Sequence, residues 1–103
     1  MSLTIIITRD VQSRYRGFLG SMMLEVAAGV YVSPRLNREV RGRLWDVLEE
    51  WHKQLSRGGI IMLWRDKSCP GYIDIKMLGE SHRAKEFYDV DGFLLTRNKI
   101  KPI

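Results

Sequence analysis

Two periods of apolar and polar positions along the chain predict its secondary structure. Short apolar runs rich in β-branched residues predict strands, because such side chains suit the pleated and buried surface of a sheet. Apolar residues that recur every three or four positions predict helices, since they form one face of the helix. The predicted strands cover residues 3–8, 27–32, 60–64, 72–78 and 93–96, and the predicted helices cover residues 15–24 and 35–57.

Glycine, proline and polar clusters predict the boundaries between these elements. Ser33-Pro34 predicts the end of the second strand, and Gly58-Gly59 predicts the end of the long helix, because glycine adopts the left-handed conformation found just past a helix. Residues 67–71 (KSCPG) predict a hairpin turn. Residues 79–92 are polar and charged, and they predict a loop.

The element order β-α-β-α-β-β-β predicts an α+β fold. We expect a ferredoxin-like arrangement, with two helices packed on one face of a mainly antiparallel sheet. A chain of 103 residues is long enough for one modest core, and it contains no internal repeat or linker. We therefore predict one domain over residues 1–96, followed by a C-terminal tail over residues 97–103 that is mobile unless a partner holds it.

The composition is typical of a soluble globular protein, with 45% hydrophobic and 28% charged residues. The first apolar run, Leu3 to Ile7, is too short to span a membrane and lacks the features of a signal peptide. The single cysteine, Cys69, excludes an internal disulfide, which fits a reducing compartment. These observations predict a cytoplasmic protein with no membrane partner.

The charge of the chain favours a polyanionic partner. The net charge is +5, and residues 1–43 contain seven arginines, no lysine and three acidic residues. The planar guanidinium suits bidentate contacts with phosphate better than an ammonium group does. A nucleic acid is therefore the expected partner, and a solvated basic surface without a ligand is the alternative.

Four segments, in order along the chain, carry a family resemblance. They are residues 14–17 (RYRG), 24–32 (LEVAAGVYV), 40–45 (VRGRLW) and 89–92 (DVDG). In these segments the chain resembles the second CRISPR-associated protein family, in its subtype I-E branch. The similarity extends to about Leu95, so it covers most of the chain.

The resemblance implies a DNA-binding homodimer that takes part in spacer acquisition. In this family the dimer lies between subunits of the CRISPR integrase and helps to hold the double-stranded DNA fragment that is inserted. The integrase carries out the metal-dependent chemistry, so the scaffold itself requires no cofactor. The tail over residues 97–103 is then a possible docking segment for the integrase. The family has also been credited with metal-dependent cleavage of RNA or duplex DNA, so an endonuclease that uses Mg²⁺ is the alternative function.

Arginines at the starts of the two helices are candidates for contact with DNA. Arg14 and Arg16 lie at the start of the first helix, where free backbone N–H groups and the helix dipole favour anions. Arg38 and Arg41 are three positions apart and therefore share one face of the second helix. For the first pair, a solvated helix entry without a ligand is the alternative, and for the second pair, a charged outer helix face without a ligand.

The polar loop carries further candidates that the resemblance implies. His82 and Arg83 occupy the place where the subtype I-E branch usually has paired arginines that reach the DNA backbone. His82 carries a full charge only below about pH 6.5, so its contribution to DNA binding is smaller. Lys85 is expected to compensate for that smaller contribution. For His82, an exposed loop with scattered charge is the alternative.

Asp10 is the candidate metal ligand and the only candidate for a catalytic role. In other branches of the family an aspartate ends the first strand, whereas this chain has Arg9 there and Asp10 one position later. Neighbouring side chains of a strand point to opposite faces, and a positive Arg9 would repel Mg²⁺. A turn-forming aspartate is the alternative. Tyr31 and Trp64, on adjacent predicted strands, are candidates for the dimer interface.

Overall fold

The computed structural model describes residues 2–79 and 85–98 and contains two helices and seven strands within those ranges. The helices and strands follow one another along the chain as β1 (Ser2–Arg9), α1 (Ser13–Met22), β2 (Leu24–Ala27), β3 (Val30–Leu36), α2 (Arg38–Gln54), β4 (Gly59–Arg65), β5 (Ile73–Leu78), β6 (Lys85–Val90) and β7 (Phe93–Asn98). A short 3₁₀ turn, Pro70–Tyr72, precedes β5.

The first five strands form one antiparallel sheet, in the order β2-β3-β1-β4-β5. The central strand β1 pairs with β3 on one side and with β4 on the other. Strands β6 and β7 form a separate two-stranded sheet. This architecture confirms the predicted α+β, ferredoxin-like fold.

The core lies between the two helices and one face of the sheet. Alternate residues of β1 and β4 point to this side, and Ile6, Ile60 and Met62 are almost completely buried there. Leu19 of α1 and Leu48 of α2 are also fully buried in the same cluster. Both helices therefore pack on the same face of the sheet, as the sequence predicts.

The segment from residue 23 to residue 36 differs from the prediction. Residues 24–27 form β2 rather than the end of the first helix, so the expected single strand over 27–32 is a hairpin of β2 and β3. Pro34 does not end the strand, because β3 continues to Leu36. The register of β3 against β1 shifts between Ser2 and Thr4, and such an irregularity tolerates a proline that lacks a backbone N–H.

The second helix begins at Arg38 rather than at residue 35, because Asn37 caps it. The Asn37 side chain accepts a hydrogen bond from the backbone N–H of Val40 at 2.8 Å. The helix ends at Gln54, before the glycine pair that predicted its end. Gly58 then turns the chain into β4 with a φ of +76°.

The predicted loop over residues 79–92 contains a strand. Residues 85–90 form β6, which pairs with β7 through a turn at Asp91-Gly92. Both turn residues have positive φ values, as the tight turn of a hairpin requires. The predicted last strand over 93–96 is confirmed and continues to Asn98. Residues 99–103 of the predicted tail lie outside the described residues.

Over residues 2–79 and 85–98, neither helix has the length and the apolar character that crossing a lipid bilayer would require.

Candidate nucleic-acid interface

Arg14 is exposed on the first turn of α1, and two contacts with α2 hold it in place. Its guanidinium lies over the ring of Trp51, 4.4 Å from the ring centroid. One terminal nitrogen donates a hydrogen bond to Oε1 of Gln54 at 3.1 Å. The ring of Trp51 is itself fixed by edge contacts with Tyr15 and Phe18, at centroid distances of 5.2 and 5.3 Å. These contacts hold the Arg14 guanidinium in one position at the surface of α2.

Arg16 lies two residues further along α1 and has a weaker internal partner. Its side chain is 62% exposed, and one terminal nitrogen is 3.9 Å from Oε2 of Glu25. The same Glu25 oxygen accepts a hydrogen bond from the backbone N–H of Gly29 at 3.1 Å, which fixes the carboxylate in the β2–β3 hairpin. An exposed ion pair of this kind is worth only about 0–1 kcal/mol, so a phosphate group can compete for Arg16.

A buried tyrosine lies beneath this ion pair. The Tyr31 side chain is fully buried, and its hydroxyl has no hydrogen-bond partner at good geometry among the described residues. Burial raises the pKa of the Tyr31 phenol, and the nearby Glu25 carboxylate raises it further. Tyr31 therefore stays neutral at physiological pH.

Arg41 is partly buried near the start of α2. Its guanidinium lies over the ring of Trp64, 4.2 Å from the ring centroid. Burial lowers the pKa of Arg41, while the Asp66 carboxylate acts in the opposite direction and the charge of Arg38 acts in the same direction. Arg38 and Arg41 therefore lie close enough to repel each other, in agreement with their predicted placement on one helix face.

The structure separates the predicted arginines into two groups. Arg14 contacts Trp51 near the C-terminal end of α2, whereas Arg41 lies near its N-terminal end. Trp51 and Arg41 are ten positions apart in this helix, which corresponds to about 15 Å along its axis. The α1 group (Arg14 and Arg16) and the α2 group (Arg38 and Arg41) are thus distinct basic sites.

The remaining predicted contacts with DNA belong to the C-terminal part of the chain. Lys85 is the first residue of β6. His82 and Arg83 lie outside the described residues. Their assignment stays a prediction.

Asp10 is exposed in the turn after β1 and has a positive φ of 55°. Its Oδ1 accepts a hydrogen bond from Arg57 at 3.1 Å, so the carboxylate is paired with a cation. Within the described part of one protomer, Asp10 belongs to no group of three neighbouring metal-ligating side chains. These surroundings favour the turn-forming alternative over Mg²⁺ binding, and a metal site shared by two protomers stays a prediction.

Besides the two arginine groups, the structure contains a cluster of acidic and thiol side chains that was not predicted from the sequence. Ligand atoms of Asp66, Cys69 and Asp74 all lie within 4.8 Å of one another, between β4 and β5. Oδ1 of Asp66 accepts hydrogen bonds from the backbone N–H and the hydroxyl of Ser68, and these bonds lower the Asp66 pKa. Desolvation and the two carboxylates raise the pKa of the Cys69 thiol, which opposes the thiolate that a metal would need.

The predicted dimer-interface aromatics are instead part of the protomer core. Tyr31 is 0% exposed and Trp64 is 7% exposed, and both belong to the cluster beneath the helices. Adjacent residues of a strand point to opposite faces of the sheet, and both rings lie on the face that the helices cover. The prediction that these two rings contact a second protomer is wrong.

The fold and these arginines define the molecule as a small basic domain of the ferredoxin-like kind. A family described as CRISPR-associated protein (Cas_Cas2CT1978) matches residues 3–95. The chain belongs to this family of CRISPR-associated proteins.

Proposed function

We propose that this chain is a DNA-binding homodimeric scaffold of the CRISPR spacer-acquisition complex, in its subtype I-E form. In this role it holds a double-stranded DNA fragment between subunits of the CRISPR integrase. Membership of the CRISPR-associated family supports the general assignment. The observation that carries the proposal is the pair of exposed guanidiniums, Arg14 and Arg16, at the start of α1.

The contacts of Arg14 and Arg16 suit phosphate binding. Trp51 holds Arg14 flat and leaves most of its five N–H donors outside the single bond to Gln54. Holding the side chain in place reduces the entropy that phosphate binding must remove. Arg16 exchanges one exposed partner, Glu25, for a phosphate at little cost.

An uncovered apolar surface supports the homodimer. The face of the five-stranded sheet opposite the helices carries Leu3, Ile7 and Ile73, which are 49%, 38% and 39% exposed. Next to them, Ile5 and Leu63 line a shallow groove in the same face. An exposed and mainly apolar face of this kind, to which Arg65 also contributes, is typical of an interface between proteins. We propose that a second copy of the chain covers it, because an isologous contact matches like surfaces.

The endonuclease alternative rests on Asp10, and the contacts of Asp10 do not favour it. A metal-dependent nuclease requires carboxylates that are free to bind Mg²⁺ near the phosphate. The Asp10 carboxylate instead accepts a hydrogen bond from Arg57. The scaffold role is therefore the better supported of the two functions.

The test uses the double variant Arg14→Gln and Arg16→Gln, with duplex affinity measured by fluorescence anisotropy over a range of salt concentrations. Each phosphate contact adds about 0.9 to the slope of log affinity against log salt, so losing two contacts per protomer flattens the slope by roughly 2–4. The control is Arg43→Gln, which removes one exposed arginine of α2 that is paired with Glu39. An unchanged slope in the double variant would contradict the proposal.

A second experiment separates the scaffold from the nuclease. Wild-type protein and the Asp10→Asn variant are incubated with duplex DNA and with RNA in the presence of Mg²⁺. The scaffold role predicts equal duplex binding by both proteins and no cleavage that depends on Asp10. Cleavage lost in Asp10→Asn, with binding intact, would establish the endonuclease instead.

A further inference from the structure

A pocket of about 380 Å³ lies between the start of α2 and the β4–β5 hairpin. Its volume is within the usual range of small-molecule sites, roughly 300–1,000 Å³. Basic residues (Arg38, Arg41, Lys76), acidic residues (Asp66, Asp74) and Trp64 contribute to its wall. The pairing of β4 with β5 places Asp74 and Lys76 in this wall, because Asp74 is opposite Trp64 and Lys76 is opposite Met62.

The basic side of the pocket has the character of an anion site. Arg38 and Arg41 lie close together, and among the described residues neither guanidinium makes a hydrogen bond to an acceptor or an ion pair within 4.0 Å. The Arg41 guanidinium packs over the ring of Trp64, which orients it. Lys76 adds a third positive charge to the same wall. A phosphate group placed there would add a counter-charge and accept hydrogen bonds from several of these N–H groups.

The acidic side provides two acceptors next to each other. The carboxylate oxygens of Asp66 and Asp74 lie within 4.8 Å of one another. Oδ1 of Asp74 accepts a hydrogen bond from the backbone N–H of Ile75 at 2.8 Å, which orients the carboxylate. An acidic side chain accepts a hydrogen bond from a ribose hydroxyl in dinucleotide-binding folds. A ligand that carries a phosphate and a vicinal diol matches both sides of the pocket.

We propose that this pocket binds a ribonucleotide. Arg38, Arg41 and Lys76 bind its 5′-phosphate, and Asp66 and Asp74 accept from its 2′- and 3′-hydroxyls. Three cations against two carboxylates leave one net positive charge, which favours the phosphate over a neutral sugar. The ligand is either a free 5′-ribonucleotide or the 3′-terminal nucleotide of an RNA strand, which share this chemistry. The site needs neither duplex DNA nor the integrase, so it goes beyond the proposed scaffold function.

The first test is calorimetric titration of the full chain with AMP, dAMP and inorganic phosphate in low-salt buffer that contains EDTA. We expect AMP to bind about tenfold more tightly than dAMP, because dAMP lacks the 2′-hydroxyl and cannot make a charged hydrogen bond to the carboxylates. Equal affinities for AMP and dAMP, or binding of AMP only after Mg²⁺ is added, would overturn the proposed contacts with the diol.

Matched variants test the phosphate contacts. Lys76→Gln and Arg38→Gln should each weaken AMP binding about tenfold, since each removes a charged donor. Lys67→Gln and Arg43→Gln remove the same charges from the neighbouring turn and from the outer part of α2, and neither residue lines the pocket. An equal loss of AMP affinity in the pocket variants and in the controls would show that only the net charge of the protein matters. That result would overturn the proposed site.

The Asp74→Asn variant separates the two halves of the ligand. Asparagine retains an acceptor for the N–H of Ile75, so the turn is preserved. Loss of the negative charge should tighten the binding of inorganic phosphate about threefold to tenfold, and should tighten the binding of AMP clearly less, because the charged hydrogen bond to the sugar is lost at the same time. An equal gain for both ligands would show that Asp74 does not contact the sugar.

Short single-stranded RNAs distinguish the source of the ligand. If an RNA with a free 3′-terminal diol displaces bound AMP and the same RNA with a 3′-phosphate does not, the ligand is the end of a strand. If AMP binds and neither RNA displaces it, the ligand is a free nucleotide. If neither AMP nor RNA binds at millimolar concentration, the proposal is overturned. Duplex binding through Arg14 and Arg16 is measured separately, so the failure of one proposal leaves the other testable.

Discussion

At Gly29 the backbone has a φ of +76°, and an added Cβ would lie 2.8 Å from the carbonyl oxygen of Thr8. The carbonyl oxygen of Gly29 accepts hydrogen bonds from the Thr8 N–H at 2.7 Å and from the Thr8 hydroxyl at 3.1 Å. Its N–H donates to Glu25, the partner of Arg16. One residue therefore joins the end of β1 to the carboxylate beside the α1 arginines.

Two glycine-to-alanine substitutions should have opposite effects on stability. Gly29→Ala forces a side chain into a left-handed conformation and against backbone, and should destabilise the fold by about 1–3 kcal/mol. Gly17→Ala lies within α1 with no atom within 4 Å of its added Cβ, and should stabilise by about 0.5–1 kcal/mol. Urea denaturation measures both values. A neutral Gly29→Ala variant would show that the hairpin turn is not constrained.

At the scale of elements, α2 depends on its cap as well as on its apolar face. Leu44, Trp45 and Leu48 are buried against the sheet, and they fix the side of the helix that faces the core. The Asn37 side chain fixes where the helix begins, and thereby where Arg38 and Arg41 meet the β4–β5 hairpin.

Removal of this cap should cost stability and should also loosen the pocket. Asn37→Ala is expected to lower the free energy of unfolding by about 0.5–2 kcal/mol, whereas Asn37→Asp keeps the acceptor and should be close to neutral. Thermal denaturation followed by circular dichroism compares the two variants. Equal losses in both would contradict a capping role and point to a different function for Asn37.

Sequence periodicity predicted the elements whose apolar faces are buried. It missed β2, where Leu24 and Val26 are exposed and continue the apolar pattern of α1, and it missed β6, whose sequence KEFYDV lies in a charged region. The placement of Arg14 and Arg16 at a helix start was predicted, because a helix boundary is a local property of the sequence. The pocket was not, because Asp74 and Lys76 reach Arg41 only through strand pairing.

At the scale of the whole molecule, the sheet has helices on one face and exposed apolar side chains on the other. The two-stranded sheet of β6 and β7 adds Val90, Phe93 and Leu95 to the exposed apolar residues, with Phe93 71% exposed. A two-stranded sheet is marginally stable by itself in water. If the proposed homodimer forms, a second copy of the chain covers the first of these two apolar surfaces.

Leu3→Lys should dissociate the proposed homodimer, because it places a charge in the uncovered face of the sheet. Leu55→Lys is the control, since Leu55 follows α2 and is 47% exposed compared with 49% for Leu3. Light scattering coupled to size-exclusion chromatography should give the protomer mass of 12.0 kDa for Leu3→Lys and twice that mass for Leu55→Lys and the wild type. A dimeric Leu3→Lys variant would place the interface elsewhere.

The 17 residues of α2 form a rod about 25 Å long, with one arginine group near each end. Adjacent base pairs of B-DNA are about 3.4 Å apart, so the roughly 15 Å of helix between Arg41 and Trp51 has the length of about four base-pair steps. Because a helix resists compression, its length sets a fixed interval between the two charged ends. Nucleic acid that touched both ends of one protomer would have to present phosphates at that interval, and a sharply kinked or very short strand could reach only one of them.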